Sequence, residues 1–325
     1  MRMKRTQLLP LVLLTSTILL LMSTSFITFW QVSGLTSVYP FWGADSYWHK
    51  KIPANAPLAP NSAQMVNWLK SIPEHRSGHP TVNWNLWTEP LYDAYASTRK
   101  YSVYRDNHRD YLYNVPIPTG ATPSSDADHL MGIVDWDSNY YYDFWNMRYE
   151  SGQWKAGAGW RWDLTGSGVA TQRQWTVGGS GTPLLATIIR PEEIAAGVIE
   201  HPISCCLKYP ANYNIYPPAS THQDKPIVTA QYAIPYGARI QLDPNINLDS
   251  LGLNPTAKII AKAMQDYGIV VKEAGGGWVL YAESDLSAHW ANYGISWSTI
   301  MKSLFTIPAK WRIVDYSVFG GVKKY

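Results

Sequence analysis

The stretch "DADHLMGIVDWDSNYYYDFW", residues 126–145, holds five aspartates, a histidine, two tryptophans and three consecutive tyrosines. Two β-favouring runs, "HLMGIVDW" and "YYYDFW", flank the turn-forming "DSN", so the segment reads as a hairpin. Tight pairing centred on Ser138 predicts His129, Met131, Ile133 and Asp135 on one face with Tyr141, Asp143 and Trp145. His129 and Asp135 are then about 20 Å apart along the strand, too far to touch. Asp128 and His129 at the strand entrance, and Asp143 on the return strand, are the candidates here for acid, base or ligand roles. The plainer reading makes Asp126, Asp128, Asp137 and Asn139 turn residues.

The same punctuation extends outward. From about 80 to 245, short apolar or aromatic runs alternate with Gly, Pro, Asn, Asp and Ser, which predicts a mainly β protein. The expected form is an antiparallel β-sandwich, jelly-roll-like, with a few short helices. Helices are expected in "SAQMVNWLKSI" (62–72), "RPEEIAAGVI" (190–199), "NPTAKIIAKAMQDYG" (254–268) and "SWSTIMKSLF" (296–305). Pro191 and Pro255 suit first-turn positions, and Gly268 suits an exit. "GIVVKEAGGGWVLYAE" (268–283) reads as a hairpin about Gly275–Gly277, and "WRIVDYSVF" (311–319) as a last strand.

The chain opens with Arg2, Lys4 and Arg5 ahead of a largely apolar, uncharged run from Leu8 to Trp30. That run predicts a signal peptide or N-terminal membrane anchor over 1–34, with the body outside the cytoplasm. Residues 35–61, rich in Pro and aromatics, read as an extended arm, and 62–325 as a single β-rich domain. The expected location is extracellular or the cell surface, with membrane contact only through the N-terminal segment.

Charged residues make up 16% of the chain and aromatics 14%, with 16 Trp and 22 Tyr against 6 Phe. Trp and Tyr join a large apolar face to a polar tip, which suits half-exposed surfaces. A net charge of +3 argues against nucleic acid as a partner. Cys205 and Cys206 are neighbours, poorly placed to bridge each other. The pairs Asp126/Asp128 and Asp135/Asp137 lack the Gly and the distant Glu of a calcium loop. "TGSG" and "GGSGTP" are not phosphate loops, and no G-x-S-x-G or H-E-x-x-H occurs. Neither metal nor cofactor is expected.

Two further constellations carry chemistry. In "IIRPEEIAAGVIEHPISCCLKYP" (188–210), Arg190, Glu193 and His201 fall at the ends of a short helix and the start of an apolar strand. They are candidate catalytic residues; the plainer reading is an ion pair, a helix-start carboxylate and a satisfied edge histidine. In "WKAGAGWRWDLTGSG" (154–168), Trp160 and Trp162 share a strand face as candidate sugar platforms, or else as sheet core.

Taken together, "PIPTGATPSSDADHLMGIVDWDSNYYYDFWNM", "WKAGAGWRWDL", "PLLATIIRPEEIAAGVIEHPI", "YGARIQLDP" and "AKAMQDYGIVV" resemble a family of exported bacterial proteins over roughly residues 115–320. This chain has Thr187 where the family pattern has Gly, and Pro202 where it has Ala. Several members resemble, or sit beside, carbohydrate-active modules. The resemblance therefore implies an exported carbohydrate-active protein, a polysaccharide hydrolase or lyase, with a polysaccharide or glycan as partner. The alternative is a non-catalytic cell-surface or carbohydrate-binding protein. In the hydrolase version Asp128 or Asp143 faces Glu193 across a groove.

Overall fold

In the computed structural model, residues 41–171, 178–223 and 230–325 are described. The expected signal or anchor segment, and residues 35–40 of the arm, lie outside them. The hairpin that organises the chain runs Met131–Asp135 into Tyr140–Trp145, with Trp136 to Asn139 as the loop. Asp135 pairs with Tyr140, Ile133 with Tyr142, Gly132 with Asp143 and Met131 with Phe144. This differs by one residue from pairing centred on Ser138, and a one-residue slip turns every side chain over. Met131 and Ile133 therefore pack with Tyr142 and Phe144, while Val134 packs with Tyr141 on the opposite face. His129 precedes the strand in a left-handed conformation, φ 43°, and belongs to a loop.

The loop aspartates are spent on local structure. Asp126 accepts the amides of Trp87 (2.6 Å) and Asp128 (2.9 Å), and Asp137 accepts that of Ala96 (2.5 Å). The turn reading of these residues accounts for their geometry.

The hairpin sits in a four-stranded sheet, in the order Leu91–Ala94, Met131–Asp135, Tyr140–Trp145, Ala158–Asp163. A second four-stranded sheet contains Asp110–Pro116, Lys100–Arg105, Gln153–Ala156 and Arg148–Glu150. A six-stranded sheet runs Thr81–Asn83, Val279–Tyr281, Ile203–Leu207, Ile269–Ala274, Arg239–Leu242, Trp311–Ile313. The protein is thus β-rich with few helices.

The sheets are mixed, not antiparallel as expected. Leu91–Ala94 runs parallel to Met131–Asp135, Lys100–Arg105 to Gln153–Ala156, and Ile203–Leu207 to Ile269–Ala274. Parallel neighbours need a crossover, and helix Pro255–Asp266 lies within the last of these connections. The expected 268–283 hairpin is also replaced: Ile203–Leu207 lies between Ile269–Ala274 and Val279–Tyr281, pairing with both. A strand buried on both faces competes well for that slot, and all five of its residues are buried.

Each sheet face has its own core. Helices Ser62–Ser71, Pro255–Asp266 and Trp297–Leu304 bring Met65, Leu69, Ile260, Met264 and Ile300 against Ile240, Val271 and Leu280 of the six-stranded sheet. The Asn254 side chain caps the middle helix by accepting Thr256 N at 3.0 Å, and Pro255 enters at its first turn. On the opposite face, Cys206, Val270 and Tyr281 share a cluster with Tyr141, Val134 and Trp162 of the first four-stranded sheet. Phe41, Trp42, Tyr47 and Trp48 from the start of the described chain complete that cluster. Met131, Ile133, Tyr142 and Phe144 meet Val103, Val115 and Ala156 of the second four-stranded sheet.

Among the described residues no helix is long and apolar enough to cross a membrane. Cys205 and Cys206 are buried free thiols.

Candidate functional site

The aromatic cluster between the six-stranded sheet and the hairpin sheet contains a buried row of charge. Asp143 points into it, and the residue paired with Asp143 across the hairpin is Gly132. A Cβ at Gly132 would lie 2.8 Å from Glu89 Cδ and 2.9 Å from its Oε2, so the missing side chain leaves room for the Glu89 carboxyl group. Tyr141 donates its hydroxyl to Glu89 Oε2 at 2.5 Å, and Trp162 Nε1 donates to Asp143 Oδ2 at 3.0 Å. Glu89 Oε1 and Asp143 Oδ1 are buried without a hydrogen-bond partner among the described residues.

Lys272 completes the row because of a local irregularity. Cys205 pairs with Val271 and Cys206 with Glu273, so Lys272 forms a bulge in its strand. A bulge re-aims side chains that strict alternation would send to opposite faces. Lys272 lies within the field of Glu273, Asp143 and Glu89, while Glu273 accepts the Tyr281 hydroxyl. Gly178, at φ 93°, lies against the Lys272 side chain, where a Cβ would collide with Nζ.

Electrostatics follow from this burial. Desolvation pushes Asp143 up to about 7, with Trp162 and the Lys272 charge pulling against it. Burial and then the Asp143 charge hold Glu89 well above the usual carboxylate range. Burial pulls Lys272 down, opposed by Glu273, Asp143 and Glu89. Burial thus favours the proton-bound form of both carboxyls, while the nearby Lys272 charge favours their ionised form.

Asp128 and Glu273 are less buried than Glu89 and Asp143, each partly exposed. Burial raises Glu273 against the Lys272 charge and the Tyr281 hydrogen bond, and the Asp128 charge adds a smaller upward push. Asp128 Oδ1 accepts Trp145 Nε1 at 3.1 Å. The Trp145 ring lies over Gly157, where a Cβ would stand 2.6 Å from it, and the residue is 37% exposed. Trp87, 47% exposed, is tied to the same acidic loop through Asp126.

The other residues singled out in the sequence fall elsewhere. Arg190, Glu193 and His201 do come together, all fully buried. Glu193 Oε1 is 3.1 Å from Arg190 Nη2 and 2.9 Å from His201 Nε2, while Oε2 accepts the Arg190 amide at 3.0 Å. Burial pushes Glu193 up, but Arg190 and His201 outweigh it and hold it down at about 2. This carboxylate closes the first turn of helix Pro191–Ala196 as a capping box. The carboxyl group beside Asp143 is that of Glu89, where the sequence suggested Glu193. His129 Nδ1 bonds Ser124 O at 3.0 Å, whereas His201 bonds Pro202 O at 2.8 Å and Glu193 Oε1 at 2.9 Å. Trp160 and Trp162 share a face as expected; Trp162 is 5% exposed and is spent on Asp143, and Trp160 is half-buried against the same cluster.

Sequence reasoning missed Glu89, Lys272 and Glu273. The available signal was a Lys–Glu pair inside the apolar run "GIVVKEA", where neither charge suits a plain buried strand. Among the described residues no group of three or more His, Cys, Asp or Glu is arranged to hold a metal ion. Compared with protein-family models, curated proteins and solved structures, the chain gives no match.

Proposed function

We propose that the protein is an exported glycan hydrolase that works at the mouth between the six-stranded sheet and the hairpin sheet. The observation that carries this reading is the partly exposed Asp128 carboxylate: it is bonded to the exposed Trp145 indole, and its charge reaches Glu273 from a distant segment. Glu273, raised toward its protonated form, is the acid: it gives its proton to the glycosidic oxygen as the bond to the anomeric carbon breaks. Asp128 is the base: it takes a proton from the water that attacks that carbon. Trp145, 37% exposed, offers a sugar ring a flat apolar face. Asp143, Glu89 and Lys272 do not touch substrate in this scheme and act through Glu273. Export rests on the basic and apolar N-terminal run. The facing sheets are read as a β-sandwich with its groove at one edge.

The rival reading is a non-catalytic glycan-binding protein. It is favoured by the sealing of Glu89 and Asp143, both 0% exposed, which also suits a purely structural network. Reducing-end release from a polysaccharide panel separates the two. Glu273→Gln and Asp128→Asn are expected to lose roughly 10²–10⁴-fold in rate while still binding. Binding by the wild type without any cleavage would favour the rival, and silence in both assays would remove the carbohydrate reading.

A further inference from the structure

A cavity of about 320 Å³ lies beside the two-stranded ladder of Asn214–Tyr216 and Val322–Lys324. Its size falls in the range of small-molecule sites, about 300–1,000 Å³. The described wall brings together Tyr216 with its ring, Thr221 with a hydroxyl, His222 with an imidazole and Lys324 with an ammonium. Among the described residues, none of the side chains lining it is a carboxylate.

The wall is held from behind. Asn214, 4% exposed, donates Nδ2 to Ala219 O at 2.5 Å, so its Oδ1 is the acceptor. His222 Nδ1 lies 3.2 Å from that oxygen and must carry the proton of the pair, which fixes the ring's tautomer and orientation. Lys324 stands directly opposite Asn214 in the ladder. Its neighbour Lys323 is directed to the rings of Tyr213 and Tyr325, at 3.9 and 4.4 Å. Strand alternation therefore separates the two ammonium groups.

The cavity also connects to the carboxylate row. Ser220 and Thr221 donate their amides to Ser180 O at 2.9 and 3.2 Å. The next residues include Gln223, whose Oε1 accepts Ala274 N at 2.8 Å and the Tyr236 hydroxyl at 3.3 Å. Ala274 follows Glu273 directly in the chain. One short segment thus lines the cavity at His222 and braces the Glu273 strand at Gln223.

We propose that this cavity binds a negatively charged sugar unit, with Lys324 pairing its acid group, His222 and Thr221 meeting its hydroxyls, and Tyr216 lying against its ring. As a subsite for an acidic unit of the polymer, it rests on the hydrolase reading above; as a binding site for the free sugar it does not.

Calorimetric titration of the full chain with glucuronate, glucose 6-phosphate and glucose tests it. At least one charged sugar is expected to bind ten-fold or more tightly than glucose, and the tighter of the two identifies the acid group as carboxylate or phosphate. Lys324→Met is expected to erase that preference, and Thr221→Val to weaken all binding with unchanged melting temperature. Equal binding of glucose and both acids, no binding at all, or an unchanged preference in Lys324→Met would overturn the proposal. Assaying the wild type for both activities distinguishes the two readings: charged-sugar binding without hydrolysis leaves the cavity and removes the hydrolase, whereas hydrolysis without charged-sugar binding does the reverse.

Discussion

Gly132 and Asp143 stand opposite each other in the hairpin, and the side chain absent from Gly132 is what admits the Glu89 carboxyl beside Asp143. Gly132 does not adopt a positive φ, so the constraint is one of space. Gly132→Ala places a methyl 2.6 Å from Leu91 Cδ2 and 2.8 Å from Glu89 Cδ. Overpacking of this kind costs about 1–3 kcal/mol. Urea unfolding of Gly132→Ala is expected to show that loss, and unchanged stability would mean that Glu89 moves freely.

Asp143 makes stability depend on pH in an unusual direction. Its folded value, about 7, lies above the 3.8 of the free group, so between those values the folded state binds the extra proton. Stability is then highest below pH 4 for this group and falls as pH rises toward 7. Glu89, raised for the same reason, acts with the same sign. Asp143→Asn keeps an acceptor for Trp162 and removes the titration. Its urea midpoint should fall less than that of the wild type between pH 4 and 8; parallel curves would show that Asp143 ionises normally.

Glu193 has the opposite sign. Held at about 2 against 4.5, it stabilises the fold above pH 4.5 and loses that contribution as pH falls toward 2. Glu193→Gln leaves Arg190 buried beside a neutral group, and breaking such a pair costs about 3–5 kcal/mol. The melting temperature of Glu193→Gln should be well below wild type at pH 7, with the gap narrowing in acid. A gap independent of pH would point to packing alone.

Lys272→Met removes the ammonium that draws protons off Glu89 and Asp143. Both carboxyls then hold their protons to higher pH. The decline in stability expected for the wild type should extend to higher pH in this variant, as read by the same urea series. A decline at unchanged pH would show that the lysine charge does not reach the pair.

Local chemistry made much of this protein legible in its sequence. Asn254 and Pro255 mark a helix start through groups within a few residues. Arg190, Glu193 and His201 meet because one short helix and its exit bring them together. Trp160 and Trp162 share a face because strands alternate with period two. The punctuated runs announce short strands whatever their neighbours.

What the tertiary structure alone decided is pairing. Strand direction, the register that turns Asp143 inward opposite Gly132, and the bulge at Lys272 all depend on which strands meet, and short alternating runs carry no label for their partners. The candidate site joins Glu89, Asp128, Asp143, Lys272 and Glu273 across sheets, and its carboxyls are raised by a burial that exists only once those sheets close. Sequence spacing fixes contacts along one element; contacts between elements are fixed by the core they enclose.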